Sequence, residues 1–293
     1  MLPKEVLDKI RRIQIKTSHM VNDVFAGQYH SVFKGKGMEF DEVREYQPGD
    51  EIRSIDWNVT ARMGHPYVKK FVEERQLTVM LMMDASGSSY FGTKNKLKSE
   101  QAAELCSVLA FSAIKNNDRV GLIIFSDRIE QFIPPRKGLR HVLRVIREVL
   151  YHKPKGTGTD IAMALEYLNN VIRKKAICFL ISDFLGCEFK QQLKITNKRH
   201  DLVAMTITDP VEQELPKAGI IKLRDNETKQ EIFIDSSDSK VRENYARNSR
   251  KKLEARERLL RQAGVDNVDI KTNQPYTEEL YRFFRKRNKK IRT

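Results

Sequence analysis

Leu77-Thr78-Val79-Met80-Leu81-Met82-Met83-Asp84-Ala85-Ser86-Gly87-Ser88-Ser89 is the stretch whose reading decides the fold. Its first seven residues are an almost unbroken apolar run without period-two alternation, as in a strand buried on both faces of a parallel sheet. After Met83 the sequence turns to small oxygen-bearing side chains around Gly87. In open α/β sheets, ligands sit just outside the carboxyl ends of the strands. A carboxylate, Asp84, and two hydroxyls, Ser86 and Ser88, at alternate positions are hard oxygen donors suited to Mg²⁺ or Mn²⁺.

The rest of the chain has to supply the missing ligands. Downstream, apolar runs at 119–125, 176–181, 201–207 and 268–270 read as further strands. Between them, 3.6-residue periodicity predicts helices over 99–115, 139–151, 161–171 and 189–196. Ser99 is the expected cap of the first helix. Residues 129–133, closed by Pro134-Pro135, read as a short edge strand. A hairpin over 219–234, a basic helix over 240–262 and a last helix from Tyr276 to about residue 287 complete the pattern. Such alternation predicts an α/β, Rossmann-like, doubly wound and mostly parallel sheet with helices on both faces.

Only strand carboxyl ends and the loops after them converge in such a sheet. Two more loops there carry suitable oxygens. Lys155-Gly156-Thr157-Gly158-Thr159-Asp160 brings Thr159 to the start of a helix, and Ser182-Asp183-Phe184 follows the 176–181 strand. Asp84, Ser86, Ser88, Thr159 and Asp183, with water, would complete an octahedral Mg²⁺ (or Mn²⁺) site with one open position. Each piece alone also reads as a helix cap or loop hydrogen bond, and Thr159 is a plausible cap for the helix after it. The conjunction, in order and at strand ends, favours the metal.

The 293 residues bear a net charge of +15, and residues 240–293 hold 17 Lys and Arg against 7 Asp and Glu. The surplus there invites nucleic acid or an anionic membrane as partner. No aromatic-interleaved basic motif accompanies it, so a solvated helical face is the preferred reading and nucleic acid is not expected. No run approaches the roughly 18 apolar residues of a membrane span. The first nine residues hold no hydrophobic signal core, so a cytoplasmic location is expected. Cys106, Cys178 and Cys187 form no Cys-x-x-Cys pair, and the first two fall in apolar segments as buried free thiols.

A dense polar block lies upstream. It contains Gly35-x-Gly37-x-Glu39-Phe40, Val43-Arg44-x-Tyr46-x-Pro48-Gly49-Asp50, Arg53-x-Ile55-Asp56-Trp57 and Ala61-Arg62. Its interleaved acids and bases read mainly as an internal ion-pair network fixing an irregular module. The block resembles the signature of the MoxR-associated bacterial family catalogued as domain of unknown function 58. Asp84-x-Ser86-x-Ser88, the Gly-x-Gly-Thr159 loop and Ser182-Asp183 are similar to the metal-ion-dependent adhesion site of a von Willebrand factor type A (vWA) domain. The resemblance implies residues 1–75 as a family-specific extension and 76–293 as the A-type domain. It also implies a MoxR-type AAA+ ATPase as partner, in chaperone-like assembly or maturation of client proteins, with a partner carboxylate completing the coordination. Two departures stand out: Gly-Thr-Gly-Thr makes Thr157 a rival to Thr159, and Phe184 follows Asp183 where Gly is frequent.

A non-enzymatic, metal-dependent protein-binding module is therefore the expected function. A metal-dependent hydrolase would need a general base, and His65, His141 and His152 fall in no loop expected to reach the site.

Overall fold

The computed structural model describes residues 39–72, 76–92, 97–185, 189–224, 226 and 229–292. The glycine-punctuated segment 25–37 and Cys187 lie outside the described residues. The chain divides into two compact units, with the break between Leu77 and Thr78.

In the smaller unit, β1 (Glu39–Glu45) and β2 (Tyr67–Val72) form an antiparallel pair with Arg44 opposite Val68. Helix α1 (Trp57–Met63) starts at Asp56, whose Oδ1 accepts from the Asn58 and Val59 N–H groups, and ends at Gly64 in the left-handed region (φ 74°). The ion-pair network foreseen in the polar block is partly present. Arg44 donates both guanidinium arms to Asp50 (2.8 and 2.6 Å), and Lys69 lies 3.4 Å from Asp56. Trp57, by contrast, is 67% exposed.

The larger unit is organised on a six-stranded sheet. Its strands are β3 (Thr78–Asp84), β4 (Arg119–Phe125), β5 (Ile129–Arg136), β6 (Ile177–Ser182), β7 (Asp201–Thr208) and β10 (Asp266–Lys271), in the order β10-β7-β6-β3-β4-β5. All pairings are parallel except β4 with β5. The predicted α/β, mostly parallel sheet is thus what the chain forms. β5 runs through Pro134 and Pro135, which an edge strand tolerates because one side of its backbone needs no partner. Between β3 and β4, Met80 sits opposite Gly121, and a β-carbon at Gly121 would fall 2.6 Å from the Met80 sulfur.

Alternate residues of β3 face opposite layers. Met80 and Met82 join a buried cluster with Ile161, Leu165 and Leu168 of α4 (Ile161–Val171), Leu193 of α5 (Lys190–Arg199) and Leu260 of α7 (Ser239–Gln262). α2 (Lys98–Lys115) contacts β3 and β4, and α3 (Leu139–Tyr151) contacts β4. α2 begins one residue before the predicted Ser99 cap. Its first turn is closed by the Glu100 carboxylate, which accepts from the Leu97 N–H at 3.3 Å. A short helix, α6 (Pro210–Gln213), follows β7, and α8 (Tyr276–Arg292) contacts β10. The hairpin β8 (Ile220–Arg224) with β9 (Glu231–Asp235) forms a separate two-stranded sheet.

Candidate metal centre

The end of β3 is held from three directions. Asp84 is buried, and its Oδ1 accepts the Ser86 N–H at 2.9 Å, folding the chain back immediately after the strand. Its Oδ2 accepts the Ser182 hydroxyl at 2.7 Å from the neighbouring strand β6. The Ser89 hydroxyl donates to the Asp84 carbonyl at 2.9 Å, closing the turn over residues 87–90. Within this turn the Ser86 and Ser88 hydroxyl oxygens lie 3.0 Å apart.

That spacing suits the expected ion. Two ligands at right angles around Mg²⁺, each at about 2.0–2.1 Å, stand about 3 Å from one another. Each carboxylate oxygen of Asp84 already accepts one hydrogen bond and keeps a second lone pair, which suits contact with an ion through water. Among the described residues, no three His, Cys, Asp or Glu side chains gather to hold a metal. A site here would therefore depend on hydroxyls, a donor set for a hard ion and a poor one for zinc. The residues present fit Mg²⁺ or Mn²⁺.

The Thr159 loop reaches this turn through its backbone, where the Gly87 N–H donates to the Thr157 carbonyl at 2.8 Å. The loop is fixed from beneath by Glu130. One oxygen of that buried carboxylate accepts from Ser126 Oγ (2.8 Å), Lys155 N (3.0 Å) and Gly156 N (2.7 Å). Gly156 passes so close that a β-carbon would lie 2.1 Å from Asp127 Oδ1. Thr159 itself is half-buried. The helix after it is capped by Asp160, whose Oδ1 accepts from Met163 N at 2.8 Å, so capping does not need the threonine.

Asp183 is also buried, and its carboxylate is occupied by a cation of the protein's own. The Lys98 ammonium lies 3.2 Å from Asp183 Oδ2 and 2.5 Å from Glu212 Oε1, with only 3% of its side chain exposed. Burial works against this ammonium, but the Asp183 and Glu212 charges outweigh it and hold its pKa above the ordinary lysine value. Burial, and then the Asp183 charge, push the Asp84 carboxyl up to about 6 against the hydrogen bonds from Ser182 and Ser86. A buried acid whose proton affinity is raised by a neighbouring carboxylate gains from a divalent ion that would offset that charge.

The structure therefore joins Asp84, Ser86 and Ser88 in one turn and brings the Thr159 loop against it by a backbone bond. It links Asp183 to Lys98 and Glu212. The sequence reading named Ser182 within its motif without giving it a role, and it missed Glu130, Lys98 and Glu212. One signal for Lys98 was present: with Ala102, Leu105 and Leu109 it falls on the apolar stripe of α2. For Glu212 the signal was Asp209-Pro210-x-Glu212, a capping box with proline at the first helical position.

A family model described as "Protein of unknown function DUF58" matches residues 42–255. An uncharacterised protein of Mycobacterium tuberculosis is 29% identical over 285 residues, covering 96% of this chain and 89% of its own. Among solved structures, an aerotolerance-related membrane protein from Bacteroides fragilis covers 73% of this chain and 99% of its own, at 15% identity and TM-score 0.49. The SpRpn10 VWA domain covers 70% and 94%, at 8% identity and TM-score 0.39. The expected cytoplasmic location does not stand, because the Bacteroides protein is described as a membrane protein. No helix among the described residues is long and apolar enough to cross a membrane, and that fact assigns no compartment.

Proposed function

The chain belongs to the DUF58 family, and from that membership we propose that its larger unit is a non-enzymatic, divalent-metal-dependent protein-binding module. The observation that carries this proposal is the 3.0 Å spacing of the Ser86 and Ser88 hydroxyls beside the buried Asp84 carboxylate. Mg²⁺ (or Mn²⁺) held there would offer an open coordination position to a carboxylate from another protein.

The chain's own residues then divide the work. Ser86 and Ser88 act as direct ligands, and Asp84 and Asp183 act through water, since their oxygens already accept protein hydrogen bonds. Thr159 is the ligand expected from the third loop, which Glu130 holds in place. Of the candidate bases, His152 lies 3.7 Å from the Glu130 carboxylate that anchors the loop. His141 bonds the Val120 carbonyl near the start of β4, at the far end of the sheet, which favours binding over hydrolysis. The family resemblance adds a MoxR-type AAA+ ATPase as the partner, with assembly or maturation of client proteins as the setting.

The test is capture of the MoxR-type ATPase from the same genome by the full chain, in Mg²⁺ and in EDTA, with Asp84→Ala alongside. Capture is expected in Mg²⁺ alone, and only with the parent chain. Retention of the ATPase in EDTA, or by a folded Asp84→Ala protein, would falsify the metal-mediated mechanism.

A further inference from the structure

Beside the metal centre lies a second cavity, of about 380 Å³, opening between the loop after β6, the end of β7, α6 and α7. Two of the residues that line it each carry a buried polar atom with no hydrogen-bond partner among the described residues. The atoms are the Thr208 hydroxyl, on a residue 5% exposed, and Arg256 Nε, on a residue 7% exposed. Buried polar atoms are almost always paired, so two orphans in one cleft signal a missing partner. Thr208 is also the last residue of β7, where ligands of open α/β sheets sit.

The charges around the cleft point to an anion. Its two acids, Asp183 and Glu212, are both bound to the Lys98 ammonium. Arg256 donates one arm to the Asp183 carbonyl (3.2 Å) and another to Asp269 (3.4 Å), leaving its Nε–H free. The exposed Lys252 adds a further cation to the lining. The remaining surface is apolar: Leu185 is 54% exposed at this cleft, and Leu253 faces it from α7.

We propose that this cleft binds a carboxylate carried on an apolar stem, with Arg256 and Thr208 taking the carboxylate and Leu185 and Leu253 the stem. The cleft shares Asp183 with the metal centre, but the contacts to the carboxylate named here do not need the ion. Failure of this site would therefore leave the metal-binding proposal standing, and the converse also holds.

The experiment uses the full chain in EDTA, which removes any competing metal-bound carboxylate. N-acetylphenylalanine and its amide, N-acetylphenylalaninamide, are titrated and followed by backbone amide NMR. The acid is expected to bind saturably, with shifts at Thr208 and Arg256, and at least fivefold more tightly than the amide. Thr208→Val and the exposed Lys252→Glu should each weaken it several-fold. Loss in either variant supports the site, because Lys252→Glu leaves the core intact. An eight-residue peptide ending in phenylalanine separates the sources: binding equal to the acid indicates a protein carboxyl terminus, and loss indicates a small acid. The proposal is overturned by the absence of saturable binding, by equal affinity for the amide, or by parental affinity in both variants.

Discussion

The two ends of the central sheet carry similar residue types and use them differently. At the amino end, Arg287 of α8 pairs with Asp201 and lies 3.7 Å from Asp266, strapping together the first residues of β7 and β10. His141 bonds the Val120 carbonyl there, and His200 Nδ1 accepts the Ala176 N–H at 3.2 Å. At the carboxyl end, burial and the Asp183 charge raise the proton affinity of Asp84, and Lys98 is shared between two acids. Charges at the amino end bind neighbouring strands to one another. Those at the carboxyl end leave capacity for something from outside.

The largest effect that would break this contrast is expected from Lys98→Met. It strands Asp183 and Glu212 without their cation, and losing one partner of a buried ion pair costs about 3–5 kcal/mol. Urea unfolding should show that loss. A change below 1 kcal/mol would show that Asp183 and Glu212 do not depend on Lys98 and remove the contrast.

An acid titration sharpens the comparison from the other end. Burial, and then the nearby Arg199 charge, lower the His200 pKa to about 4. The unfolded chain, with a histidine pKa near 6.5, therefore binds more protons between pH 6.5 and 4. This contribution to stability is complete above pH 6.5 and is lost as the pH falls towards 4, by on the order of 1–3 kcal/mol after solvent screening. Asp84 slopes the opposite way, so the measurement is the difference between the parent and His200→Gln. A difference that does not vary between pH 6.5 and 4.5 would remove this role from His200.

Glu130→Gln should cost about 1–3 kcal/mol, because a charged acceptor of three hydrogen bonds becomes neutral. It should also weaken Mg²⁺ binding in calorimetry by loosening the Thr159 loop. Unchanged Mg²⁺ affinity would leave Glu130 a purely structural residue. The smallest effect is expected from Glu254→Ala, which removes an exposed pair with Arg258 at 3.5 Å and should shift stability by no more than about 0.5 kcal/mol.

Much of the fold was legible because it is local. The Leu77–Met83 run became β3 (Thr78–Asp84), and the periodicities over 139–151 and 161–171 became α3 and α4 to the residue. Asp84, Ser86 and Ser88 were legible for the same reason: the motif and the turn that presents it are one segment. The residues that complete the carboxyl end were harder to see. Lys98 meets Asp183 across 85 positions of sequence, and Glu130 holds Gly156 across 26. Composition labels Lys98 and Glu130 as surface residues, and only the folded neighbourhood buries them. α6 was missed because four residues are too few to show a period.

The hydrogen bond from Ser182 to Asp84 joins residues 98 positions apart and forms only when β6 docks on β3. A chain emerging from the ribosome at about 5–20 residues per second therefore waits about 5–20 s after Asp84 appears before Ser182 can reach it. During that interval β4 can pair beside the aspartate, with Asp84 opposite Phe125, but the Ser182 side of the carboxylate stays open. Affinity for a divalent ion would thus be complete only late in synthesis. An ion that binds only the finished domain stabilises it by mass action, so ion supply at that moment would favour complete chains over partly folded ones.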